Sequence, residues 1–234
     1  MKETIRQDNQ SVFIIVPVHN EGKVIRKTLE PLLEQGYTVV AVDDGSTDDT
    51  LGQLQGLKIH ILKHPLNLGQ GAALQTGFEY ALRKGAQYVV TFDGDGQHRC
   101  CDIESLLKLL RGGTVDVALG SRFLLKSHAR EIPFRRRVLL LGARIVNCLL
   151  TGVWLSDAHN GLRALTAEAV AKIRLTENGF AHASEIIFQI KQLKLHYVEV
   201  PTKVRYSQYS RAKGQSAWNA FNIVIDLLLR RVFK

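Results

Sequence analysis

Only three cysteines and five prolines occur among 234 residues. Cys100, Cys101 and Cys148 are odd in number and two are adjacent, which excludes a disulfide framework and offers no zinc spacing. A reducing compartment is the expectation. Long apolar runs are also missing. The best candidates, 138–155 and 216–233, are interrupted by Arg144 and by Asp226, Arg230 and Arg231, so no transmembrane helix is expected. Met1–Gln10 is polar with charges of both signs, so no signal peptide is expected. There is no Ser-His-Asp order, HExxH, P-loop or GxGxxG, and no internal repeat or low-complexity segment. What remains is an ordinary globular composition, 45% hydrophobic and 23% charged, enough for one domain with a substantial core.

The net charge of +9 is uneven. Residues 122–144 carry +6 and residues 205–234 carry +5, which leaves the rest slightly acidic. Basicity therefore describes one surface of the C-terminal half, suited to phosphates of lipid, a phosphorylated acceptor or nucleic acid. No nucleic-acid motif accompanies the charge, so nucleic acid is not expected as a partner.

From Val12 to Leu119 the chain alternates short apolar runs with helical periodicities. Strands are expected at 12–17, 38–42, 58–62, 87–92 and 115–119, and helices at 21–34, 71–84 and 102–111. This predicts an α/β fold: a mainly parallel sheet with helices on both faces, whose ligands bind at the carboxyl ends of the strands. Polar residues gather at those ends. They are His19 to Glu21, Asp43 and Asp44, Asn67 to Gly71, Asp93 to His98, and Arg122. Beyond residue 122 a basic amphipathic helix is expected at 133–150 and a loop at 151–160. A short strand at 161–166 follows, then helices near 167–174 and 183–193, extended segments at 195–206 and an amphipathic terminal helix at 216–233.

Three segments suggest chemistry. In Asp93-Gly94-Asp95-Gly96-Gln97-His98, two carboxylates one residue apart follow a buried strand. That donor set suits Mg²⁺ or Mn²⁺, with Gln97 adding a neutral oxygen. In Asp43-Asp44-Gly45-Ser46-Thr47-Asp48, Ser46 or Thr47 is expected to cap the next helix. A carboxylate at that strand end is able to accept from a nucleobase N–H or ribose hydroxyls. Asn67-Leu68-Gly69-Gln70-Gly71 resembles a glycine-rich phosphate loop before a helix N-terminus.

VPVHNE (16–21), VDDGSTDDT (42–50), NLGQGAALQTGF (67–78), TFDGDGQH (91–98) and GSR (120–122) occur in this order and spacing. With DAHNGLRAL (157–165), Glu185 and RAKGQS (211–216), they resemble family 2 glycosyltransferases of the GT-A fold. Within that family they are similar to the dolichyl-phosphate mannosyltransferase-like, polyprenyl-phosphate branch. The resemblance implies a nucleotide-sugar-binding half at about 12–122 and an acceptor and membrane-facing half at about 123–234. It implies an inverting transfer from a UDP- or GDP-linked sugar to a polyprenyl phosphate such as dolichyl or undecaprenyl phosphate.

The resemblance also implies roles at matching positions. Pro17, His19, Glu21, Asp43, Asp44, Asn67, Gly71 and Asp93 would contact the nucleotide sugar. Asp93, Asp95 and Gln97 would hold the metal. Asp95, Arg122 and Asp157 would serve the reaction, and Arg122, Arg136, Arg211 and Lys213 would bind the acceptor phosphate. The chain departs from the family where His19 replaces a usual Tyr and Gln70 a common Lys. It departs again where Leu140 and Leu141 stand for Ser-Arg and where Ala217 stands for a Lys. A phosphate acceptor is already an anionic nucleophile, so positioning by arginines replaces a general base. Ser184-Glu185 presents no pair of acids, although Asp157 and Glu185 remain candidate bases. Two alternatives stay open: transfer to a saccharide hydroxyl, and an inactive sugar-nucleotide-binding subunit. Arg135–Arg137 beside an apolar helix suggests a peripheral position on the cytoplasmic face of a membrane. Trp218, Phe221, Val224, Ile225 and Leu228 suit core packing, a membrane face or a small membrane protein.

Overall fold

The computed structural model describes residues 9–125, 127, 132, 134–179 and 181–205, with the backbone alone at 135, 136 and 139. The expected terminal helix at 216–233, Arg211, Lys213 and the docking surface for a small membrane protein lie outside the described residues.

Seven strands form one sheet in the order β3-β2-β1-β4-β6-β5-β7. They are β1 (Val12–Val18), β2 (Thr38–Asp44), β3 (His60–His64), β4 (Tyr88–Thr91), β5 (Val117–Ser121), β6 (Arg163–Thr166) and β7 (Tyr197–Pro201). Six run parallel, and β6 enters antiparallel between β4 and β5, with Arg163 opposite both Thr91 and Leu119. The helices are α1 (Ile25–Glu34), α2 (Thr50–Leu54), α3 (Gln70–Arg83), α4 (Cys101–Arg111), α5 (Phe134–Thr151), α6 (Ala167–Lys172) and α7 (His182–Gln192).

Strand alternation splits the core into two layers. Val12, Ile14, Val16 and Val18 of β1 face α1 and α4, where Leu29, Leu32, Ile103, Leu106 and Leu107 are fully buried. Phe13 and Ile15 face α3, α6 and α7, with Leu74, Phe78, Val170 and Ile187. The helix α3 lies against β1 so closely that a Cβ on Gly77 would stand 2.2 Å from Ile15 Cγ2.

Strands β3 and β5 begin and end two residues later than expected. The outer strand β3 is held by β2 alone, and its register carries His64 to Asp44. Strand β5 continues through Gly120 and Ser121 because both are buried and pair with β7, opposite Val200 and Pro201. The chain order reverses between β1 and β4, which makes their carboxyl ends a topological switch point, the place where such sheets bind ligands.

Candidate active site

At the first rim, β1 and β2 are clipped together. Asn20 takes a left-handed backbone conformation (φ 56°). Its Oδ1 accepts from Thr47 N at 2.8 Å and Asp48 N at 3.2 Å, while Asn20 N donates to Ser46 Oγ at 2.9 Å. His19 Nδ1 lies 2.9 Å from the Asp44 carbonyl. Ser46 and Thr47 therefore do not cap α2. The two hydroxyl residues are drawn back to Asn20, the N-cap position falls to Asp49, and Asp48 accepts from Thr50 N at 2.9 Å. Pro17 sits within β1 opposite Val42, and the backbone of buried Glu21 starts α1 by accepting from Val24 and Ile25 N–H groups.

The two adjacent carboxylates of β2 behave differently. Asp44 anchors the next loop: Oδ1 accepts from Leu68 N (2.9 Å) and meets His64 Nδ1 (2.8 Å), and Oδ2 accepts from Gly69 N (2.7 Å). Asp43 accepts only from Ser46 N, at 3.3 Å, and its Oδ2 is buried with no partner. A buried carboxylate oxygen left without a donor is costly unless a ligand supplies one.

The glycine-rich loop departs from the expected phosphate cradle. Gly71 N donates to the Asn178 carbonyl at 2.7 Å, and a Cβ on Gly71 would meet Glu177 O at 1.9 Å. Gly69, at φ 107°, abuts Asn178 in the same way. These glycines admit the 177–179 segment against the start of α3, and Asn67 stays exposed before it. Glu185 fixes that segment by accepting from Thr176 N (3.0 Å), Thr176 Oγ1 (2.6 Å) and Glu177 N (3.0 Å).

Beyond β4, Asp93 Oδ2 accepts from His98 Nε2 at 2.9 Å and Asp93 Oδ1 from Gln70 Nε2 at 3.1 Å. Desolvation works against ionisation of Asp93. The His98 hydrogen bond and the charges of His98, His182 and Arg163 overcome it and hold the carboxyl below its ordinary value. Asp95 is pushed up, first by desolvation and then by the Asp93 charge. Gln97 donates to Asp95 from both its backbone N–H (3.0 Å) and its side-chain amide. No group of three or more His, Cys, Asp or Glu side chains is placed to hold a metal ion by itself among the described residues. Two mutually repelling carboxylates and an amide oxygen fit a hard cation that completes its shell with substrate oxygens.

Arg122, just past the end of β5, and Asp157 form a buried, two-pronged pair. Arg122 Nε donates to Asp157 Oδ2 and a terminal guanidinium nitrogen to Oδ1, both at 2.6 Å, and the Arg122 backbone N–H adds a third bond at 3.0 Å. Burial alone would raise the Asp157 pKa; the Arg122 charge and hydrogen bonds lower it instead. Glu199 of β7 stands behind the pair and accepts from Ser156 N (2.8 Å), Ser156 Oγ (2.6 Å) and Asp157 N (3.2 Å).

A cleft opens between these groups. It is lined by Asp93, Gln97, His98, Arg122, His159, Asn160, Gly161 and Val204. Desolvation pushes the His159 ring down to about 4; Asp157 opposes this and Arg163 and Arg122 add to it, although the residue keeps exposed surface.

The fold thus gathers Asp93, Gln97 and Arg122 into one cleft, with Asp95 bonded to Gln97. Asp43, Asp44 and His19 belong to the neighbouring β1–β2 rim. Arg136 lies in α5, of which the backbone alone is described at that position. Sequence reasoning assigned no role to Arg163, His159, His182 or Glu199. Two carried a signal: Arg163 and Glu199 are charged residues inside short strands that otherwise read as apolar.

The profile of Glycosyl transferase family 2 matches residues 13–178. An uncharacterized protein of Methanocaldococcus jannaschii is 35% identical over 100% of this chain and 99% of its own length. The UDP-N-acetylglucosamine–dolichyl-phosphate N-acetylglucosaminyltransferase of Methanococcus voltae is 30% identical over 95% of this chain and 97% of its own. Among solved structures, the glucosyl-3-phosphoglycerate synthase of Mycobacterium tuberculosis superposes with a TM-score of 0.68 at 20% identity, covering 99% of this chain and 84% of that one.

Proposed function

The chain belongs to glycosyl transferase family 2 and has the GT-A fold, and we propose that it moves a sugar from a nucleotide diphosphate sugar to the phosphate of a polyprenol with inversion. One observation carries the choice of acceptor: both carboxylates that the sequence offers as a base are already committed. Asp157 is held by Arg122, and Glu185 by Thr176 and Glu177. A saccharide hydroxyl needs a base to remove its proton, whereas a phosphate oxygen arrives as an anion. The relatives support the same class. The M. voltae enzyme is named for UDP-N-acetylglucosamine and dolichyl phosphate, and a polyprenol monophosphomannose synthase of Mycolicibacterium smegmatis is 30% identical over 82% of this chain and 76% of its own.

In this reading the unpartnered Asp43 Oδ2 accepts from the base or ribose of the nucleotide. Asp93, Asp95 and Gln97 hold Mg²⁺ or Mn²⁺; a related synthase was crystallised with Mn²⁺ and UDP-glucose. Such an ion neutralises charge gathering on the diphosphate leaving group. A phosphate oxygen of the acceptor forms the new bond to the anomeric carbon while the bond to the diphosphate breaks on the opposite face. Arg122, fixed by Asp157, offsets the repulsion between the two anionic substrates.

The protein meets its lipid from the membrane surface. Among the described residues no helix is long and apolar enough to cross a membrane. Instead Phe134, Val138, Leu141, Ile145 and Leu149 are exposed along α5 at helical spacing. The exposed Trp154 ring lies nearby, with the Arg144 guanidinium 4.2 Å from its centre. Apolar contact and basic charge of this kind give reversible, salt-sensitive binding to anionic lipid.

A panel of UDP-, GDP- and dTDP-sugars, each with a divalent ion and with either polyprenyl phosphate or a saccharide, tests the reading. Transfer to the phosphate with one donor class, abolished by chelator, is expected. Efficient transfer to a saccharide with none to the phosphate would overturn it.

A further inference from the structure

The segment 156–161 is bonded inward at nearly every position. Glu199 holds Ser156 and Asp157. Asn160 Nδ2 donates to Thr202 Oγ1 at 3.1 Å, its Oδ1 accepts from Leu162 N at 3.0 Å, and Thr91 Oγ1 donates to the Gly161 carbonyl at 2.6 Å. Ser156 and Gly161 are half-buried, and Asp157, Ala158 and Asn160 are buried. His159 alone in the segment is exposed, and it lines the cleft beside Arg122. A histidine that served packing would face the core. This one is held out by a braced loop, in the cleft that Asp93 and Gln97 also line.

The charged groups facing the ring are Asp157 from its own segment, Arg122 from the end of β5 and Arg163 from β6. Asp93 and His98 line the same cleft. Arg122 and Arg163 offset the charges of Asp157 and Asp93, so an arriving anion meets no net negative charge there. Arg122 already spends two of its nitrogens on Asp157, so a further donor is needed there to complete the coordination of a phosphate. We propose that His159 donates a ring N–H to an oxygen of the acceptor phosphate and thereby sets the preference for a phosphate acceptor. This rests on the polyprenyl-phosphate reading and deepens it. An uncharged ring adds a donor without repelling the adjacent arginines, which a lysine there would do.

The test uses the full chain with His159→Ala and His159→Gln. Undecaprenyl phosphate in detergent micelles serves as acceptor, and the active nucleotide sugar from the donor panel as donor. Acceptor KM and kcat are measured, together with the Kd of the corresponding nucleoside diphosphate in the presence of Mn²⁺. The Ala variant is expected to raise acceptor KM by about tenfold, the usual scale for one hydrogen bond to a charged group. The nucleotide Kd, which also reports an intact fold, stays unchanged. The Gln variant, which keeps an N–H donor, recovers part of the loss. An unchanged acceptor KM in the Ala variant, or a nucleotide Kd that weakens in step with it, would overturn the assignment. If the wild-type enzyme uses the lipid phosphate and the Ala variant matches it, this inference alone fails. If the wild-type enzyme does not use the phosphate, both fail.

Discussion

Gly161 leaves Asp93 no spare room. A Cβ there would stand 2.2 Å from Asp93 Oδ2 and 2.7 Å from its Cγ, so any side chain must displace the carboxylate. Gly161→Ala is expected to reduce turnover by about 100-fold, the scale of a 1 Å misplacement in a catalytic constellation, while acceptor KM changes little; steady-state kinetics with both substrates checks this. Asp95 makes a complementary case. Burial and the Asp93 charge raise its pKa, so the carboxylate is held against repulsion. Asp95→Ala is therefore expected to abolish transfer without lowering the melting temperature. Loss of activity accompanied by a large drop in melting temperature would mean that Asp95 serves the fold instead.

Elements whose periodicity is set by burial on both sides were the legible ones. The run Val12–Val18 alternates between two helix layers, and α3 and α4 keep apolar stripes toward the sheet, so their positions follow from pattern alone. The parallel sheet, the polar rim and the pairing of Asp93 with Asp95 and Gln97 were readable on the same grounds. The antiparallel entry of β6 was not, because the direction and neighbours of a four-residue strand are fixed by contacts distant in sequence. For the same reason the Arg122–Asp157–Glu199 line, whose members come from β5, a loop and β7, is invisible in any local window. The glycine-rich loop was a weak signal because glycine serves close backbone approach as readily as phosphate binding. Packing at α3 gives a test. Gly77→Ala gains up to ~1 kcal/mol of helix propensity but drives a methyl into Ile15, and overpacking costs about 1–3 kcal/mol. Net destabilisation is expected in denaturant melts; a more stable variant would show that α3 is free to move off β1.

Acid sensitivity and acceptor choice belong to the molecule as a whole. His182 is buried at the start of α7, and desolvation first, then Arg163, push its pKa from 6.5 down to about 4. The unfolded chain therefore takes up this proton before the folded one, and stability falls as pH drops from about 6.5 toward 4. Asp157, whose pKa is lowered in the folded state, adds a loss of the same sign at lower pH. Melting temperatures measured from neutrality to pH 4 are expected to fall throughout, more gently for His182→Asn in the upper part of that range. A flat profile would contradict the burial assigned to His182. The central claim is that this cleft receives an acceptor already carrying its negative charge, because Asp157 and Glu185 are committed elsewhere. The most direct measurement offers the enzyme a polyprenyl phosphate and the free alcohol of the same chain length, with the same labelled nucleotide sugar, and follows label into each lipid. The account predicts a sugar phosphodiester of inverted anomeric configuration from the phosphate and no product from the alcohol; comparable transfer to the alcohol would contradict it.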